Sequence, residues 1–142
     1  MKTKSQFYIL IFLIGAVGYC LIELLWRGRT HPSMALAGGL SFCLILVIQT
    51  RLKPLKFIYR CIASGLGITA IELAFGSIFN LWLKQSVWDY TAVPFNFLGQ
   101  VCLLYTVLWS LLSAPLLIIS GLLKDKFLAK NYGKADALPH KN

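Results

Sequence analysis

Four long apolar runs, separated by short polar or basic segments, constrain this chain more than any other feature. They cover about Phe7–Trp26, Met34–Gln49, Phe57–Leu83 and Val101–Leu123. A bilayer core of about 30 Å is crossed by about 20 apolar helical residues. No water is present there to satisfy a peptide group, so each run must close its own backbone hydrogen bonds as a helix. Strand patterns with polar alternation are absent, which argues against a transmembrane barrel. The expectation is an all-α polytopic membrane protein, with four transmembrane helices over residues 1–123 and a basic cytoplasmic tail over residues 124–142. The second run is the shortest and contains Gly38-Gly39, which weaken it as an isolated helix. The third is long enough to tilt or to project beyond the membrane.

Composition and charge placement support this reading. The 142 residues are 58% hydrophobic and 13% charged, where a soluble domain carries about 25% charged residues. Mean hydropathy is +0.71. A net charge of +9 would suggest a nucleic-acid partner in a soluble protein. Here the basic residues flank apolar runs, so the partner they indicate is the lipid bilayer and not nucleic acid. Lys2 and Lys4, then Arg51, Lys53, Lys56 and Arg60, then Lys124, Lys126, Lys130, Lys134 and Lys141 fall on one side of a four-span arrangement. Only Arg27, Arg29 and Lys84 fall on the other. The positive-inside rule then places the protein as multi-pass in the cell inner (plasma) membrane, with both termini cytoplasmic and the loops Arg27–Ser33 and Lys84–Gln100 facing outward.

The first run continues to Trp26 without an A-x-A-like cleavage site, so it reads as an uncleaved span and not a signal peptide. Cys20, Cys43, Cys61 and Cys102 lie inside apolar segments without metal-ligand spacing and read as small packing residues. No metal motif, phosphate loop or nucleophile set occurs, so no cofactor and no catalytic residue is assigned.

Glu23 and Glu72 stand out because they sit inside apolar runs. Their contexts, Gly18-Tyr-Cys-Leu-Ile-Glu23-Leu24 and Gly67-Ile-Thr-Ala-Ile-Glu72-Leu73, match at Gly, Ile, Glu and Leu across an offset of 49 residues. An ionisable group in a span costs about 2.5–3.5 kcal/mol on insertion scales and so turns toward a partner or a wet cavity. The match also allows a parallel two-helix repeat. Arg27 lies one helical turn beyond Glu23, where the two can pair. Pro32 argues that the chain turns before it, separating His31 from the first helix. Arg27, Arg29 and His31 suit a phosphate or carboxylate, although arginines beside Trp26 also serve as plain interfacial anchors. The second outer segment, Trp88–Gln100, carries Asp89, Asn96 and Gln100 and reads either as a lid over a polar pocket or as an amphipathic loop on the membrane surface. The candidate substrate-binding set is therefore Glu23, Arg27, His31, Glu72, Asp89, Asn96 and Gln100. Arg27, His31 and Asp89 are expected to converge on one outer pocket. The competing reading is structural, with Glu23 paired to Arg27 and Glu72 to a polar partner on another helix. Tyr105, Ser110 and Ser113 in the fourth run read as helix-contact residues.

Several of these residues together resemble a known family. Glu23, Arg27-Gly28, Gly38-Gly39, Glu72, Trp88-Asp89-Tyr90 and Asn96 through Gly99-Gln100 are similar to the CmpB-like ABC-transporter type IV membrane proteins, over about residues 10–120. Trp-Asp-Tyr followed by Phe-Asn-Phe-Leu-Gly-Gln is the most specific part. The family's first outer segment commonly reads Asn-Arg-Gly-Phe-Leu, and this chain departs from it with Trp26-Arg27-Gly28-Arg29-Thr30-His31. The resemblance implies transport, and because no ATP-binding motif occurs here, any nucleotide-binding partner would be a separate subunit. Three functions follow as expectations. The first is a permease-like transport component with a polar outer-facing site, acting as a homo-oligomer or with partner subunits. The second is a membrane-embedded enzyme or binder acting on a lipid head group, with an anionic ligand or lipid phosphate at Arg27. The third is a structural or assembly subunit.

Overall fold

The computed structural model describes residues 4–132. Four helices dominate it: α1 (Lys4–Arg27), α2 (Pro32–Arg51), α3 (Phe57–Gly76) and α4 (Leu103–Tyr132). All four are long and apolar enough to cross a membrane. A π-helical turn, Ser77–Trp82, prolongs α3, and a two-residue antiparallel hairpin, β1 (Asn96–Phe97) with β2 (Val101–Cys102), leads into α4.

Local chemistry sets the breaks. Gly28 leaves α1 at φ +67°, with its N–H bonded to the Leu24 carbonyl at 2.9 Å. A left-handed residue at a helix end is a glycine position. His31 then caps α2, accepting the Ser33 N–H on Nδ1 at 3.2 Å, and Pro32 occupies the first turn, where its missing N–H costs nothing. His31 is thus separated from α1, as Pro32 suggested. The segment from Lys124 to Tyr132 continues α4 as helix, because no proline or glycine interrupts it and its neighbours are helix formers. The remainder of the expected tail, 133–142, lies outside the described residues, as do Lys2, Lys134 and Lys141.

The packing is uneven. α2 is the central helix: 56% of its apolar stretch is buried, against 17% for α1. Gly38 and Gly39 explain this. A Cβ on Gly38 would collide with Tyr19 and the Gly15 carbonyl, and one on Gly39 with the Phe12 ring. Small residues let two backbones approach closely, and that contact outweighs the propensity cost that made α2 look weak. Gly65 plays the same part between α3 and α4, against Ser110. Thr69 and Thr106 share a hydrogen bond across the same pair of helices at 2.9 Å. α1 lies mainly on α2, and α3 mainly on α4, so α1 and α4 meet only in places. Phe7 and Phe127 stack with centroids 4.4 Å apart, and Tyr19 and Trp109 come within 5.7 Å nearer the other end.

The closely packed end holds Phe7, Ile11, Phe42, Ile45, Leu46 and Leu117. Lys4, Arg51 and Lys124 share one hollow there, so the α2–α3 turn, the start of α1 and the basic part of α4 lie on one face. The α1–α2 turn and the α3–α4 loop lie together on the opposite face, where Arg27 donates to the Val87 carbonyl at 3.2 Å. Large apolar side chains such as Leu21, Leu66, Leu111 and Leu122 cover the outside, as lipid contact requires.

Candidate functional site

Where α1 and α4 diverge, they leave a cavity of about 320 Å³. α1 contributes Tyr19, Ile22, Glu23, Trp26 and Arg27, and α2 contributes Met34. Glu72 comes from α3, Trp88 and Tyr90 from the α3–α4 loop, and Tyr105, Leu108, Trp109 and Leu112 from α4. Glu23 and Glu72 are 5% and 4% exposed and share this space, so the matched glutamates do reach one depth. Their matched surroundings do not extend further. Gly67 packs tightly on Leu44, whereas nothing lies near the equivalent face of Gly18.

The two carboxylates have different partners. Glu23 is ion-paired with Arg27 and accepts from the Thr30 hydroxyl at 2.7 Å. Arg27 spends a further N–H on Val87. Glu72 has no ion pair among the described residues. The Trp109 indole lies beside it, yet its buried N–H does not meet hydrogen-bond geometry with any partner.

The α3–α4 loop is fastened over this site by a residue the sequence reading passed over. Asn80, in the π-helical turn, accepts the Val87 N–H at 2.7 Å and donates to the Trp88 carbonyl at 3.0 Å and to Gln100 Oε1 at 2.8 Å. Trp88 donates from its indole to the Gln100 carbonyl at 2.8 Å, and Gln100 Nε2 donates to the Leu98 carbonyl at 3.0 Å. The π geometry widens the last turns of the third span, with the Leu83 N–H reaching the Ile78 carbonyl, and presents Asn80 to the loop. A lone Asn in an apolar helical end was the available signal. The same loop holds Lys84, Ser86, Phe95 and Leu98 at positive φ. Such backbone persists only where surrounding bonds over-determine it.

The candidate residues therefore separate. Glu23, Arg27 and Glu72 line the cavity. Gln100 is buried and ties down the loop without lining the cavity. Arg27 and His31 meet in a second, outer hollow of about 220 Å³ with Arg29, Thr30, Gln85, Ser86 and Val87. The expected convergence of Asp89 with them does not occur. Asp89 is exposed and accepts the Thr91 N–H at 2.8 Å, closing a local turn, and these bonds hold its carboxyl below the usual range. Asn96 likewise works within the loop, donating to the Thr91 and Val93 carbonyls and accepting from the Gly99 N–H. Tyr105 lines the cavity, stacked on Tyr90 at 4.6 Å, while Ser110 and Ser113 bond back to their own helix. The Tyr90 phenol is pushed up by burial first and then by the Glu72 charge, so it stays neutral.

Against known proteins, a family model described as "Putative ABC-transporter type IV" matches residues 11–135. The chain belongs to this family. As a member it is a multi-pass membrane protein of a transport-related family. No curated protein and no solved structure matches the chain.

Proposed function

We propose that this family member is a permease-like component of a transport system, with the Glu23–Arg27–Glu72 cavity as its outward-facing polar site. The observation that carries the reading is a void of about 320 Å³ bordered by two buried carboxylates. Groups so costly within a membrane are retained where they serve a ligand or a wet path. The excess of basic residues at the opposite face supports cytoplasmic termini in the inner (plasma) membrane. Four helices enclose little volume, so the working unit is a homo-oligomer or includes separate partner subunits. A second reading, a binder of lipid head groups, draws on the outer hollow, where Arg27, Arg29 and His31 suit a lipid phosphate or another anion.

The two readings differ in access. A transport path must open to both faces in turn, and a binder needs only one. With Cys20, Cys43, Cys61 and Cys102 replaced, a single cysteine at Leu108 should react with a membrane-impermeant maleimide in sealed cells. It should react from the cytoplasmic face in inverted vesicles too. Labelling from the outer face alone, under every condition, would overturn the transport reading.

A further inference from the structure

Charge in the cavity does not balance within the protein. Arg27 is taken up by Glu23 and the Val87 carbonyl, and Thr30 completes the coordination of Glu23. Glu72, 4% exposed, is left without a cationic partner among the described residues. A carboxylate buried in this way is neutralised either by a proton or by a bound cation. The groups that face it are Glu23, Arg27 and Tyr19 from α1, Tyr90 from the loop and Trp109 from α4.

The walls select among cations. Tyr19, Trp88, Tyr90, Tyr105 and Trp109 border the same space. Ring faces carry negative potential and attract organic ammonium groups, most strongly where water is excluded. A metal ion fits poorly. No group of three His, Cys, Asp or Glu side chains that could hold one occurs among the described residues, and about 320 Å³ far exceeds a single ion. An anion would meet Glu72 uncompensated.

An apolar hollow of about 180 Å³ continues from the cavity between α1 and α4, sharing Tyr19, Ile22, Trp109 and Leu112 with it and reaching Leu116 and Ile119. Gly18 lines it with open space where a side chain would project. Its continuity with the charged cavity fits one alkyl chain attached to the charged group. We infer that the cavity takes an organic ammonium group bearing an apolar chain, with Glu72 as counter-ion, the rings as walls and the α1–α4 groove holding the chain. This rests on the cavity being the binding site proposed above. The ammonium could belong to a membrane lipid head group or to a soluble amine.

The test is direct binding to the purified full-length protein in nanodiscs of phosphatidylglycerol, followed by tryptophan fluorescence. Hexyltrimethylammonium should bind, and hexanesulfonate, with the same chain and opposite charge, should not. Glu72→Gln should weaken the ammonium by about tenfold or more, with Glu72→Asp recovering part of the loss. Gly18→Leu, which has room to fold, should weaken hexyltrimethylammonium while leaving tetramethylammonium unchanged. Weaker probe binding in nanodiscs rich in phosphatidylethanolamine would assign the natural occupant to the lipid, and equal binding would assign it to soluble amines. Equal or tighter binding of the sulfonate to the wild type, or full affinity in a folded Glu72→Gln variant, would overturn the inference. Because binding is read without transport, one-sided cysteine labelling would sink the transport reading and leave this one standing.

Discussion

The two ends of this bundle are built on different principles. At the basic end, α1, α2 and α4 converge on the buried Phe7, Ile11, Phe42, Ile45 and Leu117, beside a hollow of about 340 Å³ whose polar lining, Lys4, Arg51 and Lys124, carries no buried acid. At the other end, α1 and α4 separate and the interior holds Glu23, Glu72 and a ring of aromatics around a void. Close packing secures the first end, through dispersion contacts made possible by small residues. Hydrogen bonds secure the second, centred on Asn80, Trp88 and Gln100. A membrane helix gains little by burying apolar surface, since lipid is equally apolar, so the packed end sets the scaffold. The hydrogen-bonded end is then able to keep a void.

The largest test of this contrast lies on the packed side. Gly65→Leu would drive a side chain into the Ser110 backbone. It should cost about 3 kcal/mol or more, read as loss of folded protein in a detergent unfolding titration. A tolerated leucine would mean that α3 and α4 do not rely on close approach.

Asn80→Ala should come next, removing three hydrogen bonds and leaving the Gln100 amide and the Val87 N–H short of partners. The expected cost is about 2–3 kcal/mol. It should appear in hydrogen exchange as faster opening of the Trp88–Gln100 loop, with the α1–α2 contact unchanged. Equal loosening of both ends would show that they are not separate.

Within the void, the two glutamates should part company. Glu23→Gln weakens a buried ion pair and should cost about 1–3 kcal/mol, while Glu72→Gln removes an unmatched carboxylate and should leave thermal stability unchanged or raised. Equal losses for both would indicate that Glu72 has a partner of comparable strength.

Asp89→Asn should have the smallest effect, within about 0.5 kcal/mol, because an exposed asparagine can accept the same Thr91 N–H. A large loss in ligand binding would return Asp89 to the site.

Much of this was legible in the chain. A bilayer leaves one solution for about 20 apolar residues, so four spans, their shared basic face and the inward turn of two glutamates follow from residue type and spacing. The Glu23–Arg27 pair follows from a four-residue interval on one helix. The family resemblance, carried by Trp88-Asp89-Tyr90 and Phe95 through Gln100, covers most of the stretch that the family model matches. The placement of two other candidates was not legible, for a local reason. Asp89 and Asn96 have short side chains that bond to nearby backbone, and their loop consumed both. Gly38-Gly39 looked like a weakness because propensity is a property of the isolated helix, whereas close approach is a property of the pair.

The sequence by itself determined the number of spans, their relative directions and which ionisable groups would be hidden, because lipid imposes those outcomes residue by residue. The tertiary structure alone decided that Arg27 also reaches the Val87 carbonyl, that Asn80 holds the Trp88–Gln100 loop, and that Tyr19, Tyr90, Tyr105 and Trp109 share a cavity with Glu72, which has no ion pair among the described residues. Those relations depend on where α1 and α4 part. That divergence is set by the crossing of α1 on α2 at Gly15 and Gly38 and of α3 on α4 at Gly65, contacts between residues far apart in the chain that no single run encodes.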